Sequence, residues 1–128
     1  MKHLLLGEDD PMLASLLKYK LEKAGYRVST AEDGRQVKKS LADNSIDMII
    51  TDIMMPYFSG MELVDFVRNI LRSDLPILLI SSASNEENIL KAFSLGADDF
   101  ISKPVSPSEL QVRIARVMGK IRNPDAIN

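Results

Sequence analysis

The chain has 128 residues, carries 16 basic and 18 acidic side chains for a net charge of −2 at pH 7, and contains no cysteine. That length suits one domain with its own core, while disulfides and thiolate metal sites are excluded and the near balance of charge gives no general attraction for nucleic acid or anionic lipid. The local basic groups, Lys38 with Lys39 and Arg113 with Arg116, are small and read as solvated helix faces, so no direct nucleic-acid binding is predicted.

Met1-Lys2-His3 leads into Leu4, Leu5 and Leu6, an apolar run too short for a signal-peptide core. No stretch approaches the roughly 20 apolar residues of a membrane span, so a cytoplasmic protein without membrane association is expected. His3 to Gly7 reads as a first strand. Leu13, Leu16, Leu17, Leu21 and Ala24 then recur at helical spacing, with Asp10 as N-cap rather than metal ligand, Pro11 in the first turn and Gly25 as the stop. Arg27 to Ala31 gives a second strand, and Asp33 with Gln36 resembles a capping box opening a helix to about Ala42. Asp47 to Thr51 is the third strand. After Asp52 a loop leads to the Ser59 and Glu62 capping pair and a helix carrying Leu63, Val67, Ile70 and Leu71.

Pro76 precedes the Ile77 to Ile80 strand, and Ser84 with Glu87 opens a helix whose Ile89, Ala92 and Phe93 face inward before Gly96. Asp98 and Asp99 read as turn-solvating groups, and the fifth strand runs from about Asp99 to Ser102. Ser106, Pro107 and Glu109 start a last helix with Leu110, Ile114, Val117, Met118 and Ile121 as its buried stripe. Five alternations of apolar run and amphipathic stretch predict an α/β fold, a doubly wound (βα)5 domain around a five-stranded parallel sheet. With no composition shift or linker, one domain over residues 1–122 and a frayed tail over 123–128 are expected.

The carboxyl ends of parallel strands share an edge, so Glu8, Asp9 and Asp10, Asp52, and Lys103 would converge there. Clustered carboxylates disfavour one another's ionisation, and a cation must offset that cost. An all-oxygen donor set of carboxylates, a backbone carbonyl and water suits a hard ion, Mg²⁺ first. With the metal and Lys103 offsetting charge on phosphoryl oxygens, Asp52 could act as a nucleophile toward phosphorus. His3 has no ligand-spaced partner and reads as structural or exposed. The Met54 and Met55 side chains read as packing groups.

Through Leu5-Leu6-Gly7-Glu8-Asp9-Asp10, Asp52-Ile53-Met54-Met55-Pro56 with Gly60, and Gly96-Ala97-Asp98-Asp99-Phe100 followed by Lys103-Pro104, the chain resembles a receiver domain of two-component response regulators from Lys2 to about Ile121. The resemblance implies a flavodoxin-like receiver topology and a signalling domain rather than an enzyme, one that assists its own phosphorylation and dephosphorylation. It implies that Asp52 accepts a phosphoryl group from a phosphohistidine, that Glu8, Asp9, Asp52 and the Met54 carbonyl hold Mg²⁺, and that Lys103 contacts the phosphoryl group. The family's switch hydroxyl falls on Ser81, one position from Ser82. Phe100 matches the switch aromatic, without the hydroxyl of the tyrosine frequent there, and Lys103-Pro104 resembles the family's cis peptide.

The partners so implied are a sensor histidine kinase or histidine phosphotransfer protein and an output partner or effector domain of unknown identity, with room for a phosphorylation-dependent homodimer. Val112 and Ala115, off the last helix's buried stripe, are candidates for a partner surface. The competing readings are a receiver-like interaction module that works without phosphorylation, and an aspartate-nucleophile phosphatase. The phosphatase lacks its usual second aspartate, because Met54 stands there. A flavodoxin-like FMN carrier ranks lower, since Glu8, Asp9 and Asp10 would repel the cofactor phosphate.

Overall fold

A computed structural model describes residues 1–82 and 85–122. β1 (His3–Gly7), α1 (Pro11–Lys23), β2 (Arg27–Ala31), α2 (Gly34–Asp43), β3 (Met48–Asp52), α3 (Gly60–Asp65), β4 (Ile77–Ser81), α4 (Glu86–Leu95), β5 (Asp99–Ser102) and α5 (Pro107–Arg122) follow in that order. The five strands form one parallel sheet in the order β2-β1-β3-β4-β5. The doubly wound α/β expectation therefore holds, and each strand lies where the apolar runs placed it, within one residue. Ser84, the proposed cap of α4, and the tail 123–128 lie outside the described residues, and so does the side chain of Ile121.

Alternation along the strands splits the core into two layers, because successive strand residues face opposite sides of the sheet. Leu5, Ile49, Ile77, Leu79 and Phe100 pack with Val37, Leu63, Val64, Val67 and Ala92, so α2, α3 and α4 cover one face. Leu4, Leu6, Met48, Ile50, Leu78, Ile80 and Ile101 pack with Leu17, Leu21, Leu110, Ile114 and Val117, so α1 and α5 cover the other. β1, β3 and β4 are buried along their whole length, which is why they read as nearly unbroken apolar runs, whereas the edge strand β2 alternates with exposed Arg27 and Thr30.

The helix starts follow capping chemistry. Asp10 accepts from the Met12 and Leu13 N–H groups, and Ser59 and Glu62 form the complete capping box. At α2 the box is displaced: the Asp33 carboxylate accepts from Arg35 and Gln36, while Gln36 Oε1 accepts from Glu32 N–H rather than from Asp33. Asn85 caps α4 by accepting from the Asn88 N–H. Gly25 and Gly96 end α1 and α4 at φ of 100° and 112°, a left-handed conformation that glycine takes without steric cost.

The inward assignment of Phe93 is overturned, and several apolar residues of the helical repeats lie outside the core. Leu16 and Phe93 are exposed. Each lies one residue, about 100° of helix rotation, from the fully buried Leu17 or Ala92, and so falls off the apolar face. Ala24 is the exposed C-cap of α1. Ile70 and Leu71 are exposed because α3 runs into a π turn over Phe66–Ile70, closed by Leu71 N–H to Phe66 O at 3.0 Å, which breaks the 3.6-residue period.

Asp98 and Asp99 are not turn-solvating groups. Asp99 opens β5 buried, with Arg113 Nη1 at 2.9 Å and Arg116 Nη2 at 3.5 Å; half-buried Arg113 is therefore no solvated group, while Arg116 stays exposed, as expected, with one end beside the carboxylate. Lys39 is exposed as expected, whereas Lys38 is half-buried, its ammonium 3.9 Å and 4.5 Å from the Phe58 and Phe66 ring centres. His3 is structural, as expected, its buried ring bonded between Ser45 O at 3.1 Å and Ser29 Oγ at 2.7 Å.

One side chain ties the far ends of three elements together. Arg68 donates to Gly96 O at 3.0 Å, Ser73 O at 2.9 Å, Leu75 O at 2.7 Å and Asp98 Oδ2 at 3.0 Å. Asp98 Oδ2 also accepts the Ile77 N–H at 2.8 Å. Hydrogen bonds to charged groups contribute about 1.5–3 kcal/mol each before non-additivity. The exposed Lys39–Asp43 pair contributes about 0.3–0.5 kcal/mol.

Arg68→Met is therefore expected to cost about 3 kcal/mol in urea unfolding. A loss under about 1 kcal/mol would mean that water replaces the guanidinium at those carbonyls. The α2 cap supplies a pH test. The Gln36 N–H, then the Arg35 N–H and guanidinium, hold the Asp33 carboxyl below its ordinary value of 3.8, against an opposing push from burial. A lowered native pKa gives stability that is present above the unfolded value and lost as pH falls through the native one. Asp33→Asn should therefore lower the urea midpoint more at pH 7 than at pH 2.5, and an equal loss at both would contradict the cap's charge dependence.

Candidate functional site

The strand order reverses between β1 and β3, and ligands of open α/β sheets bind at such a crevice beyond the strand carboxyl ends. Glu8 and Asp9 follow β1, Asp52 is the last residue of β3, and Lys103 follows β5. One carboxylate oxygen from each of Glu8, Asp9 and Asp52 lies within 4.8 Å of the others, so the three groups meet as the sequence placed them. Glu8 and Asp52 are buried, whereas Asp9 is exposed at the mouth.

Local bonds fix Glu8, Asp52 and Lys103. The Glu8 N–H donates to Ala31 O at 2.9 Å, and Glu8 Oε2 accepts the Asp10 N–H at 3.1 Å. Asp10 thus caps α1 and orients Glu8 without joining the cluster. Asp52 Oδ1 accepts the Met54 N–H at 2.9 Å, while its Oδ2 is bonded to Lys103 Nζ. Lys103 Nζ is also 3.2 Å from Glu8 Oε1, and the Lys103 N–H donates to Ser81 O at 2.9 Å, securing the lysine to the end of β4. The Lys103–Pro104 bond is cis.

Burial pushes the Glu8 carboxyl above its ordinary value, the Asp10 N–H and Lys103 oppose the rise, and the nearby Asp52 charge adds to it. Burial alone would lower the Lys103 pKa, but the hydrogen bond and charge of Asp52, followed by Glu8, outweigh it and raise the ammonium's pKa. Lys103 is thus held protonated, one positive charge against three carboxyl groups. A carboxyl whose native pKa is raised resists ionisation in the fold, so ionised Glu8 costs stability above that pKa unless a further cation arrives.

The donor set fits a hard divalent ion. It is all oxygen, its charge is under-compensated, and buried Glu8 Oε1 has the Lys103 charge beside it but accepts no hydrogen bond among the described residues. Gly60 lets the loop after β3 close tightly: a Cβ there would come within 2.8 Å of Asp52 O, and the Gly60 N–H donates to Ile53 O at 2.9 Å.

Around the cluster, Ser81 ends β4 fully buried whereas Ser82 is exposed, and Phe100 is buried with Leu79 and Ala92. The Met54 side chain is 65% exposed, which corrects its reading as a packing group; Met55 is buried near Gly7. The sequence reading missed the contacts between α2 and the 54–58 loop. The one cue was an aromatic pair, Tyr57 and Phe58, following Pro56.

The family model for the response regulator receiver domain matches residues 4–115. The chain is 36% identical over 124 residues to a probable transcriptional regulator, ycf27, of Cyanidium caldarium, covering 97% of this chain and 49% of that protein. It is 33% identical over 117 residues to the alkaline phosphatase synthesis transcriptional regulatory protein PhoP of Bacillus subtilis, covering 91% and 48%. The chain therefore spans about half the length of these curated relatives. Among solved structures, the receiver domain of Francisella response regulator 1452 superposes with a TM-score of 0.88 at 28% identity, covering 94% of this chain and 98% of that one. The chemotaxis protein CheY4 of Vibrio cholerae gives 0.85 at 30% identity, covering 91% and 98%. Sheet order, the acidic crevice and its lysine, and a match over most of the chain agree: this chain belongs to the receiver domains of two-component response regulators.

Proposed function

We propose that Asp52 accepts a phosphoryl group from a phosphohistidine, carried in the cytoplasm by a sensor histidine kinase or histidine phosphotransfer protein, in a Mg²⁺-dependent reaction. The observation that carries this reading is Lys103 Nζ bonded to Asp52 beside buried Glu8, with Asp9 open to solvent at the same point. An Asp52 carboxylate oxygen forms the new O–P bond, and the bond from phosphorus to the donor nitrogen breaks, its electron pair leaving with the imidazole. The product is an acyl phosphate on β3.

Glu8, Asp9, Asp52 and the Met54 carbonyl would hold Mg²⁺, which when bound supplies charge neutralisation for the phosphoryl oxygens. The Met54 N–H fixes Asp52 Oδ1 in place. Lys103 exchanges its bond to Asp52 Oδ2 for one to a phosphoryl oxygen. Because its pKa is raised, it stays a cation throughout.

Ser81, buried at the end of the adjacent strand, supplies the switch hydroxyl, and Phe100, packed beneath α4, moves with the element it supports. The added charge shifts an existing equilibrium toward a state with a different partner surface on α4, β5 and α5, where Leu90, Phe93 and Val112 are exposed. Ala115 is exposed there as well. Arg113 and Arg116, which neutralise Asp99, are part of the fold at that face. Against a phosphatase, the residue two positions after Asp52 is methionine, which can donate no proton to a leaving group.

Intact mass after incubation with acetyl phosphate should show one added phosphoryl group on the wild type with Mg²⁺, and none on Asp52→Asn or after chelation. A wild type that stays unmodified under conditions labelling a known receiver, and also with a histidine phosphodonor, would favour docking without phosphorylation. Magnesium should also stabilise the fold. At a hundred times its Kd it should add about 2.7 kcal/mol to unfolding in urea, and Asp9→Asn should remove most of that gain. An equal gain in the variant would place the ion elsewhere.

A further inference from the structure

The loop between β3 and α3 carries the Met54 N–H that holds Asp52 and the Met54 carbonyl assigned to the metal, yet part of it is strained and exposed. Tyr57 has a φ of 69° and is 72% exposed. A left-handed conformation is uncommon for a residue as large as tyrosine and persists where surroundings enforce it.

Within the loop, the Phe58 N–H donates to Pro56 O at 2.8 Å across Tyr57, the tight turn that a positive φ there makes, and α2 braces that turn from outside. The Arg35 guanidinium lies 3.6 Å from the Tyr57 ring centre. Its backbone N–H is held by Asp33 Oδ1 at 2.8 Å, and its Nη2 lies 3.5 Å from Asp33 Oδ2. One turn on, Lys38 lies over Phe58 and Phe66, whose rings meet edge to face with centroids 6.0 Å apart. At the start of α2 the Gly34 N–H donates to Pro56 O at 3.2 Å, and a Cβ at Gly34 would come within 2.8 Å of Phe58 Cα. Backbone contact and two cation–π contacts thus fasten one face of α2 to three successive loop residues, two to four positions beyond Met54.

We propose that Arg35 and Lys38 are positioning residues for the phosphoacceptor site: by clamping Tyr57 and Phe58 they hold the Met54 amide and carbonyl in the geometry that binds the metal. This rests on the reading of Glu8, Asp9, Asp52 and Met54 as a Mg²⁺ site. The sign of its consequence is opposite to that of simple electrostatics. Removing two cations from the neighbourhood of an acidic cluster makes the local potential more negative, which tightens divalent-ion binding. Loss of the clamp weakens it.

The test compares wild type, Arg35→Gln/Lys38→Gln and the charge control Lys39→Gln, whose exposed side chain pairs with Asp43 and touches neither ring. Mg²⁺ binding is measured by calorimetry at 0.15 M salt, together with hydrogen exchange of the metal-free loop amides and thermal melting. The expected result is at least about tenfold weaker Mg²⁺ binding in the double variant, the low end of what lost outer-shell support costs a metal site. Faster exchange at Met54 and Phe58, a cooperative melt and an unchanged control should accompany it. Unchanged or tighter Mg²⁺ binding in a double variant that melts cooperatively overturns the proposal while leaving the site reading intact. A wild type that binds no Mg²⁺ removes both, and is recognised because the control is silent as well.

Discussion

The constraint on which the molecule turns is the repulsion among three carboxyl groups gathered at one edge of an apolar sheet. Glu8 and Asp52 are buried, and among the described residues they and Asp9 are balanced by a single ammonium, that of Lys103. Left free, such groups would separate or take up protons. Here they are held by covalent continuity with strands whose other residues are fixed in the core. Asp52 ends β3 in register with Ile80, and Glu8 is bonded through its backbone to Ala31. The rigidity of the sheet thus becomes stored electrostatic potential at the crevice, which a divalent cation or a rearrangement of Lys103 relieves.

The scale of the core explains why this can be sustained. Truncating a single buried Leu or Ile to Ala typically costs about 2–5 kcal/mol, and β1, β3 and β4 place such side chains on both faces of the sheet. The penalty for one poorly compensated carboxylate is of the same order as one of those contacts. A small domain therefore tolerates one such cluster. The other buried carboxylates among the described residues are each compensated locally: Asp33 by the Arg35 and Gln36 N–H groups, and Asp99 by its arginine partners. Glu8, shared with a lysine that also serves Asp52, is not neutralised to the same degree, and the proposed reaction draws on that difference.

What the sequence made legible follows the same division. Strand positions and the meeting of Glu8, Asp9, Asp52 and Lys103 were readable, because a strand buried on both faces has a simple composition and the edge rule converts strand order into proximity. Contacts whose partners are set by tertiary geometry were not. Arg113 looks solvated in sequence because nothing nearby announces that Asp99, fourteen residues earlier, is buried. Arg68 gave no sign of capturing carbonyls across a π turn, since that turn departs from the period by which helices are recognised. Leu16 and Phe93 show the limit of periodicity itself: an apolar residue one step around the helix satisfies a loose pattern but not the packing.

The same uneven packing indicates where a charge change at Asp52 can be read out. α4 contributes one fully buried side chain, Ala92, and its carboxyl end is tied down by Arg68 through Gly96 O. Its amino end follows directly from the segment after Ser81, next to the site. An element anchored firmly at the end far from the chemistry and lightly along its length can pivot at small cost, because few apolar contacts must be broken. α1 and α5, each with several residues fully buried against the opposite face, would have to give up far more. On the proposed phosphorylation of Asp52, a coupling of the usual size, about 1–3 kcal/mol, falls short of displacing α1 or α5, whose buried side chains typically cost about 2–5 kcal/mol each to lose, and acts where fewer such contacts are at stake, as along α4.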